Sequence, residues 1–277
     1  MKIARTEPEL RAALPERGGQ IGFVPTMGAL HEGHLSLVRA AAQRCSTVVV
    51  SIFVNPLQFG PTEDLQKYPR DEKSDLQLLE KESVDLVFFP SVDTMYPAGR
   101  STMVSVGALG TRVEGLSRPG HFDGVATVVA KLFNLVQPNI AFFGQKDAQQ
   151  LAVIKKMVAD LSIPVEVIGC PIIRESDGLA MSSRNGYLDT GDRSRAISLW
   201  RSLQVGRAAF ERGADRDEIE KLMWESLIAG GVDPDYAHVV DPDTFESSTT
   251  EGPALAVVAA RAGRTRLIDN LLLSSGD

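Results

Sequence analysis

The sequence predicts an α/β protein: a Rossmann-like, doubly wound parallel sheet with a smaller C-terminal α+β domain. Three observations carry this. Short apolar runs alternate with helix-length segments over the first 170 residues. A glycine-flanked turn follows the first of these runs, at the point where open α/β sheets bind ligands. After about residue 175 the texture changes to helices followed by bunched strands. The reading divides the chain into domains 1–175 and 176–277.

Each element has its own reason. Residues 21–25, 47–54, 85–89, 139–143 and 164–168 are short and apolar on both faces, as strands of a covered parallel sheet are. Residues 35–44 form the first helix. Residues 70–82 form a charged helix with Leu76 and Leu79 facing inward. Residues 125–136 place Val125, Val128, Val129, Leu132, Phe133 and Val136 on one helical stripe. Residues 175–189 are polar and loop-like. Helices follow at 192–212 and 215–229, then strands at 236–240, 255–260 and 264–269. Residues 246–253 read as a solvated turn and 60–68 as a mobile rim loop.

Length and charge bound the function. A chain of 277 residues buries about 70–75% of its unfolded surface and needs no metal or disulfide to fold. The balance of 29 basic and 36 acidic residues, −7, argues against a nucleic-acid partner. No apolar run reaches the roughly 18 residues of a membrane span. The N-terminus lacks a signal-peptide core. Cys45 and Cys170 form no metal-spacing motif and fit a reducing compartment. A soluble cytoplasmic protein is expected.

The chemistry is concentrated in Met27, Gly28, Ala29, Leu30, His31, Glu32, Gly33 and His34. A helix N-terminus outside a strand end offers N–H groups and partial positive charge to phosphate. Gly28 and Gly33 let backbone approach a ligand without a Cβ in the way. Two imidazoles three residues apart can donate to one anion. Zinc is disfavoured, because no third ligand is evident. The second phosphate-holding element is Met181, Ser182, Ser183 and Arg184, two hydroxyls and a planar guanidinium fork beside Gly178.

The HxGH turn resembles the signature of adenylyl-transferring enzymes, and MSSR resembles their second, KMSKS-like loop. The motifs at Pro25–Gly28, Phe53–Gly60, Arg118–Gly124, Phe143–Gln150 and Asp177–Arg184 narrow the likeness. Together they resemble the pantothenate synthetase (pantoate–β-alanine ligase) family over nearly the whole chain. The resemblance implies ATP-dependent condensation of (R)-pantoate with β-alanine through an enzyme-bound pantoyl adenylate, releasing AMP and pyrophosphate. It implies His34 as proton donor and His31 as a triphosphate contact. Gln58 would bind pantoate and lie near the β-alanine amine, with Gln150 on pantoate from the other side. Gly144, Gln145, Lys146 and Asp147 would meet the adenosine and phosphate, Ile173 would give a backbone contact, and 181–184 would clamp the phosphates. Neutral amides suit a hydroxy acid. Outside the resemblance, an exposed surface amide is the ordinary fate of glutamine.

Mg²⁺ is implied as ATP's companion, carried on the phosphates with few protein ligands. Asp71 and Asp75 are within conceivable reach of it but read more simply as solvated helix residues, so no metal site is assigned. Arg118 and His121 read as carboxylate contacts or as plain surface residues. Gln145 stands where some family members carry Glu, and Ala148 where some carry Tyr; neither is required by the chemistry. A homodimer follows from the resemblance alone. Two other readings compete: an HxGH nucleotidyltransferase acting on another acceptor, and a nucleotide-binding regulator without turnover.

Overall fold

The computed structural model describes residues 1–15, 19–61, 63–249 and 252–274. Thr62, in the expected rim loop, and Thr250 and Glu251, in the expected turn, lie outside the described residues. The chain folds into two compact units, Met1–Gln145 with Val153–Pro171, and Lys146–Ala152 with Ile172–Asp277.

Among the described residues the first unit holds six strands: β1 (Lys2–Ala4), β2 (Ile21–Thr26), β3 (Thr47–Ile52), β4 (Leu86–Phe88), β5 (Ile140–Gly144) and β6 (Glu166–Cys170). Their order is β1-β4-β3-β2-β5-β6, and every pairing is parallel. The chain builds one half outward from β2 and the other outward from β5. The order reverses between those two strands, where such sheets open a ligand crevice at their carboxyl ends. Val24, Val50, Val87 and Phe142 are almost wholly buried, the signature of strands covered on both faces.

The helices that accompany these strands among the described residues are α1 (Glu7–Ala13), α2 (Glu32–Arg44), α3 (Glu72–Glu80), α4 (Val92–Met95), α5 (Glu114–Ser117) and α6 (His121–Val136). The whole expected stripe of α6 is buried, together with Phe122, Ala126 and Leu135. A helix apolar nearly all round belongs in an interior. Gly124 decides what it touches: a Cβ there would collide with the Leu57 carbonyl, so glycine lets the Pro56–Gln58 turn lie on the helix. The sequence pattern did not identify β1 or α1. Three residues are too few for a period, but Thr6 and Glu9 form a capping box, a signal that was present in the chain.

Helix α7 (Ala148–Asp160) follows β5. Its first turns group with the second unit and the remainder with the first. The second unit contains α8 (Thr190–Ala196), α9 (Ser198–Glu211) and α10 (Arg216–Ala229), then β7 (Asp233–Val240), β8 (Ala254–Ala262) and β9 (Thr265–Leu273). The strands form an antiparallel sheet in the order β7-β8-β9. Its core packs Leu199, Leu203, Ile219, Met223 and Leu227 with Val239, Ala256 and Val258. The expected single helix at 192–212 is two helices. Ile197 separates them but keeps right-handed helical dihedrals, so the apolar period runs on through the break.

Candidate active site

In the first unit, β2 ends at Thr26 and α2 begins at Glu32. The turn between them passes through two consecutive left-handed residues, Gly28 (φ 83°) and Ala29 (φ 50°). This backbone is held from inside the protein. Gly28 N–H donates to Thr26 Oγ1 at 3.3 Å. Ala29 and Leu30 N–H donate to the two oxygens of Asp75, at 3.0 and 2.7 Å.

The histidines cap the helix reciprocally. His31 Nδ1 accepts from Gly33 N–H at 3.2 Å, and His34 Nδ1 accepts from His31 N–H at 3.3 Å. This is a capping box written with imidazoles. The ring centroids lie 4.1 Å apart. An Nδ1 that accepts an N–H carries no proton, so the neutral ring holds its proton on Nε2. The cap therefore fixes both the tautomer and the atom that can donate. It also corrects an expectation. The N–H groups of Gly28, Ala29, Leu30, His31 and Gly33 donate to protein acceptors rather than standing open at the helix end.

Gln58 is buried, 8% exposed, not a surface amide. Its Oε1 accepts from Asn55 Nδ2 at 3.1 Å, and its Nε2 lies 3.0 Å from Met27 Sδ. Tyr96 O–H donates to Asn55 Oδ1 at 2.8 Å, and Asn55 Nδ2 also donates to Gly124 O. Asn55 thus has its amide orientation set from both ends, and it sets that of Gln58.

Arg118 and His121 act on the backbone of the same glutamine. His121 Nδ1 lies 2.7 Å from Gln58 O and Arg118 Nη2 lies 3.3 Å from it. Arg118 grips Glu63 through Nε and Nη2, at 2.8 and 2.6 Å. Burial, helped by the neighbouring guanidinium, pushes the His121 pKa down to about 4. The neutral ring then donates from Nδ1 and accepts from Arg118 Nη1 at Nε2, 3.1 Å away. Neither residue is plain surface.

Asp75 overturns another expectation. It is 3% exposed rather than solvated. Burial raises its pKa, while the N–H groups of Leu30 and Ala29 pull it back down. Asp71 is an exposed helix cap, accepting from Ser74 N–H at 3.0 Å. The sequence pattern gave no role to Asn55 or Tyr96, and misplaced Asp75. The motif following the second strand pointed to Asn55; nothing local pointed to Asp75. Gly144 ends β5, and a Cβ there would meet no atom within 4 Å. Gln145 is exposed.

In the second unit, Lys146 is held through its backbone, with Asn270 Nδ2 donating to Lys146 O at 2.9 Å. Its Nζ lies 3.9 Å from Asp147 Oδ1. Gln150 is half-buried on the first turns of α7. Ile173 O accepts from Met181 N–H at 2.9 Å, closing the loop that carries residues 174–180. Ser182 caps the short helical turn Ser183–Tyr187, its Oγ accepting from Arg184 N–H at 3.2 Å.

Two clamps secure that loop. Arg174 pairs with Asp269 through both oxygens, at 2.6 and 3.0 Å, donates to Gly178 O at 3.0 Å, and stacks 3.8 Å above the Trp200 ring. Gly178 (φ 98°) is required there, since a Cβ would overlap that ring. Arg193 ties Glu175 and Asp177, each at 2.7 Å.

A family model described as pantoate-beta-alanine ligase matches residues 2–272. The chain belongs to that family. A pantothenate synthetase of Acidobacterium capsulatum is 53% identical over 300 residues, covering 99% of this chain and 97% of the relative. One from Caldicellulosiruptor bescii is 52% identical, covering 96% of each. The crystal structure of pantothenate synthetase from Thermus thermophilus superposes with a TM-score of 0.95 at 50% identity, covering 99% of both chains. A pantoate-beta-alanine ligase from Francisella tularensis, complexed with beta-gamma ATP and beta-alanine, superposes at 0.84 with 35% identity, covering 100% of this chain and 99% of that one. The chain is a ligase, and no helix among its described residues is long and apolar enough to cross a membrane.

Proposed function

We propose that this pantoate–β-alanine ligase condenses (R)-pantoate with β-alanine through the residues of its two motif regions. The observation carrying this reading is the reciprocal His31–His34 cap on a family-matching chain. It leaves Nε2 as the nitrogen that carries the proton in each neutral ring.

In the first step the pantoate carboxylate attacks the α-phosphorus of ATP in line. The bond to the β-phosphate oxygen breaks, and pyrophosphate leaves. Such transfers are catalysed mainly by positioning and charge neutralisation. His34 donates from Nε2 to phosphate oxygen as charge develops, and His31 contacts the triphosphate. Met27, Gly28, Ala29, Leu30, Glu32 and Gly33 shape the nucleotide turn. Gly144, Gln145, Lys146 and Asp147 receive the adenosine and phosphate, Ile173 contributes a backbone contact, and Met181, Ser182, Ser183 and Arg184 hold phosphate oxygens. In the second step the β-alanine amine attacks the acyl carbon. The bond between the acyl carbon and the phosphate oxygen breaks with its electron pair leaving on AMP, and the proton lost by the amine is released to solvent. Gln58 and Gln150 bind pantoate, and Gln58 also orients the amine. Asn55 supports this role, because its Nδ2 contact with Gln58 Oε1 turns the Gln58 amide nitrogen toward Met27.

Mg²⁺ is proposed to arrive on the phosphates, whose charge it neutralises. Among the described residues no group of three or more His, Cys, Asp or Glu could hold a metal. Both Asp75 oxygens already accept N–H bonds. A phosphate-borne ion fits this donor set better than a protein cage. A cytoplasmic homodimer is proposed from the family resemblance.

The test is AMP release from ATP and (R)-pantoate with and without β-alanine. Release requiring all three substrates is the expected result. Release indifferent to β-alanine would sink the ligase reading and leave only a nucleotide site.

A further inference from the structure

We propose that Asp75 is the positioning residue of the nucleotide turn: its carboxylate sets the left-handed Gly28–Ala29 backbone and withdraws two N–H groups from anion binding. The inference rests on the ATP-binding reading above. Three observations carry it.

The first is geometry. Two successive N–H groups, Ala29 and Leu30, converge on the two oxygens of one carboxylate at 3.0 and 2.7 Å. Only a group with acceptors at both ends satisfies that pair. An amide of the same shape would turn its NH₂ on one of them.

The second is strain. Ala29 sits at φ 50° directly after Gly28 at φ 83°. A non-glycine residue there persists only when its surroundings over-determine it. A Cβ on Gly28 would lie 2.9 Å from Asp75 Oδ2, so glycine and carboxylate fit each other. The third is continuity. Leu30 immediately precedes His31, the helix cap, so the carboxylate's hold passes directly to the paired imidazoles. Asp75 touches no substrate in this reading. It spends a buried charge to present two rings in place of a nest of N–H groups.

The test compares the wild-type ligase with Asp75→Asn and Asp75→Glu, measuring KM for ATP, KM for pantoate and binding of a non-hydrolysable ATP analogue. A displacement of about 1 Å in a positioned group costs on the order of 10²-fold. Asp75→Asn is expected to lower kcat/KM for ATP by about that factor, with KM for pantoate changed less than about threefold. Asp75→Glu, which restores two acceptors, is expected to recover part of the loss.

Unchanged ATP kinetics and analogue binding in a folded Asp75→Asn protein would overturn the proposal and leave Asp75 as packing only. A wild-type enzyme without three-substrate turnover would instead overturn the functional reading. Amide hydrogen exchange on the unliganded wild-type chain does not depend on a variant folding. The Ala29 and Leu30 amides are expected to be protected before nucleotide is added. Exchange at the rate of an open loop would refute the assignment.

Discussion

The two motif regions are held by different physics. The turn at 27–34 is locked from beneath by a buried carboxylate and by its own imidazoles. The loop leading to Met181–Arg184 is strapped from its flanks by arginine. One strap, Arg174 to Asp269, is buried at its acidic end; the other, Arg193 to Glu175 and Asp177, is half-exposed. Buried backbone-to-carboxylate bonds define one geometry. Half-exposed ion pairs are weak and screened by salt. The first region is therefore held by buried bonds to its own backbone, and the second by one buried clamp and one weaker, half-exposed one.

The largest expected effect comes from breaking the rigid side. His34→Ala should lower kcat by about 10²–10⁴, the usual scale for a positioned acid and charge stabiliser. It also removes half of the reciprocal cap, a stability cost of about 1 kcal/mol. Steady-state kinetics alongside thermal melts separate the two, and near-wild-type turnover would remove His34 from the mechanism.

On the other side, Arg174→Met strands Asp269, whose pKa burial already raises. Losing one partner of such a pair costs about 3–5 kcal/mol. Urea unfolding reads this directly, and a loss under about 1 kcal/mol would mean the pair is no clamp.

Gly124→Ala should push the Pro56–Gln58 turn off α6 and raise KM for pantoate by about tenfold, less than the 1 Å benchmark because the turn shifts as a unit. ATP binding should change little; equal losses for both substrates would contradict the assignment of Gln58.

The His121 pKa falls from 6.5 to about 4 on folding. Between those values the unfolded chain binds the extra proton, so this contribution to stability is complete above pH 6.5 and is lost as pH falls toward 4. Melts of His121→Gln across that range should show a shallower acid slope than the wild type; parallel curves would refute the buried neutral ring. Arg193→Gln should cost least, below about 1 kcal/mol, and the cost should shrink further in high salt.

Much of this was legible in the chain. The β-branched run at 47–52 and the stripe of α6 declare their structure locally, because burial on both faces leaves no room for polar residues. The HxGH turn placed its chemistry by position, immediately after a strand. Other features were not legible. The break at Ile197 keeps helical dihedrals and leaves no mark in the period. Residues 146–152 read as part of a strand–helix unit, yet they group with the second unit, where Asn270 holds the Lys146 carbonyl. Asp75 looked like one more charge on a solvated helix. Its partners, Ala29 and Leu30, are 46 and 45 residues away.

The sequence by itself determined the main strands and helices after the first strand–helix pair, the place of the histidine turn and the family to which the chain belongs. The elements follow from periodicity and the turn from short spacing, which are properties of neighbouring residues; the family follows from the resemblance of the motifs. Only the tertiary structure decided that the Gln58 amide nitrogen faces Met27 and that a carboxylate from α3 holds the Gly28–Leu30 turn. Those outcomes depend on which donor meets which acceptor, and folding makes that choice between residues the chain keeps far apart.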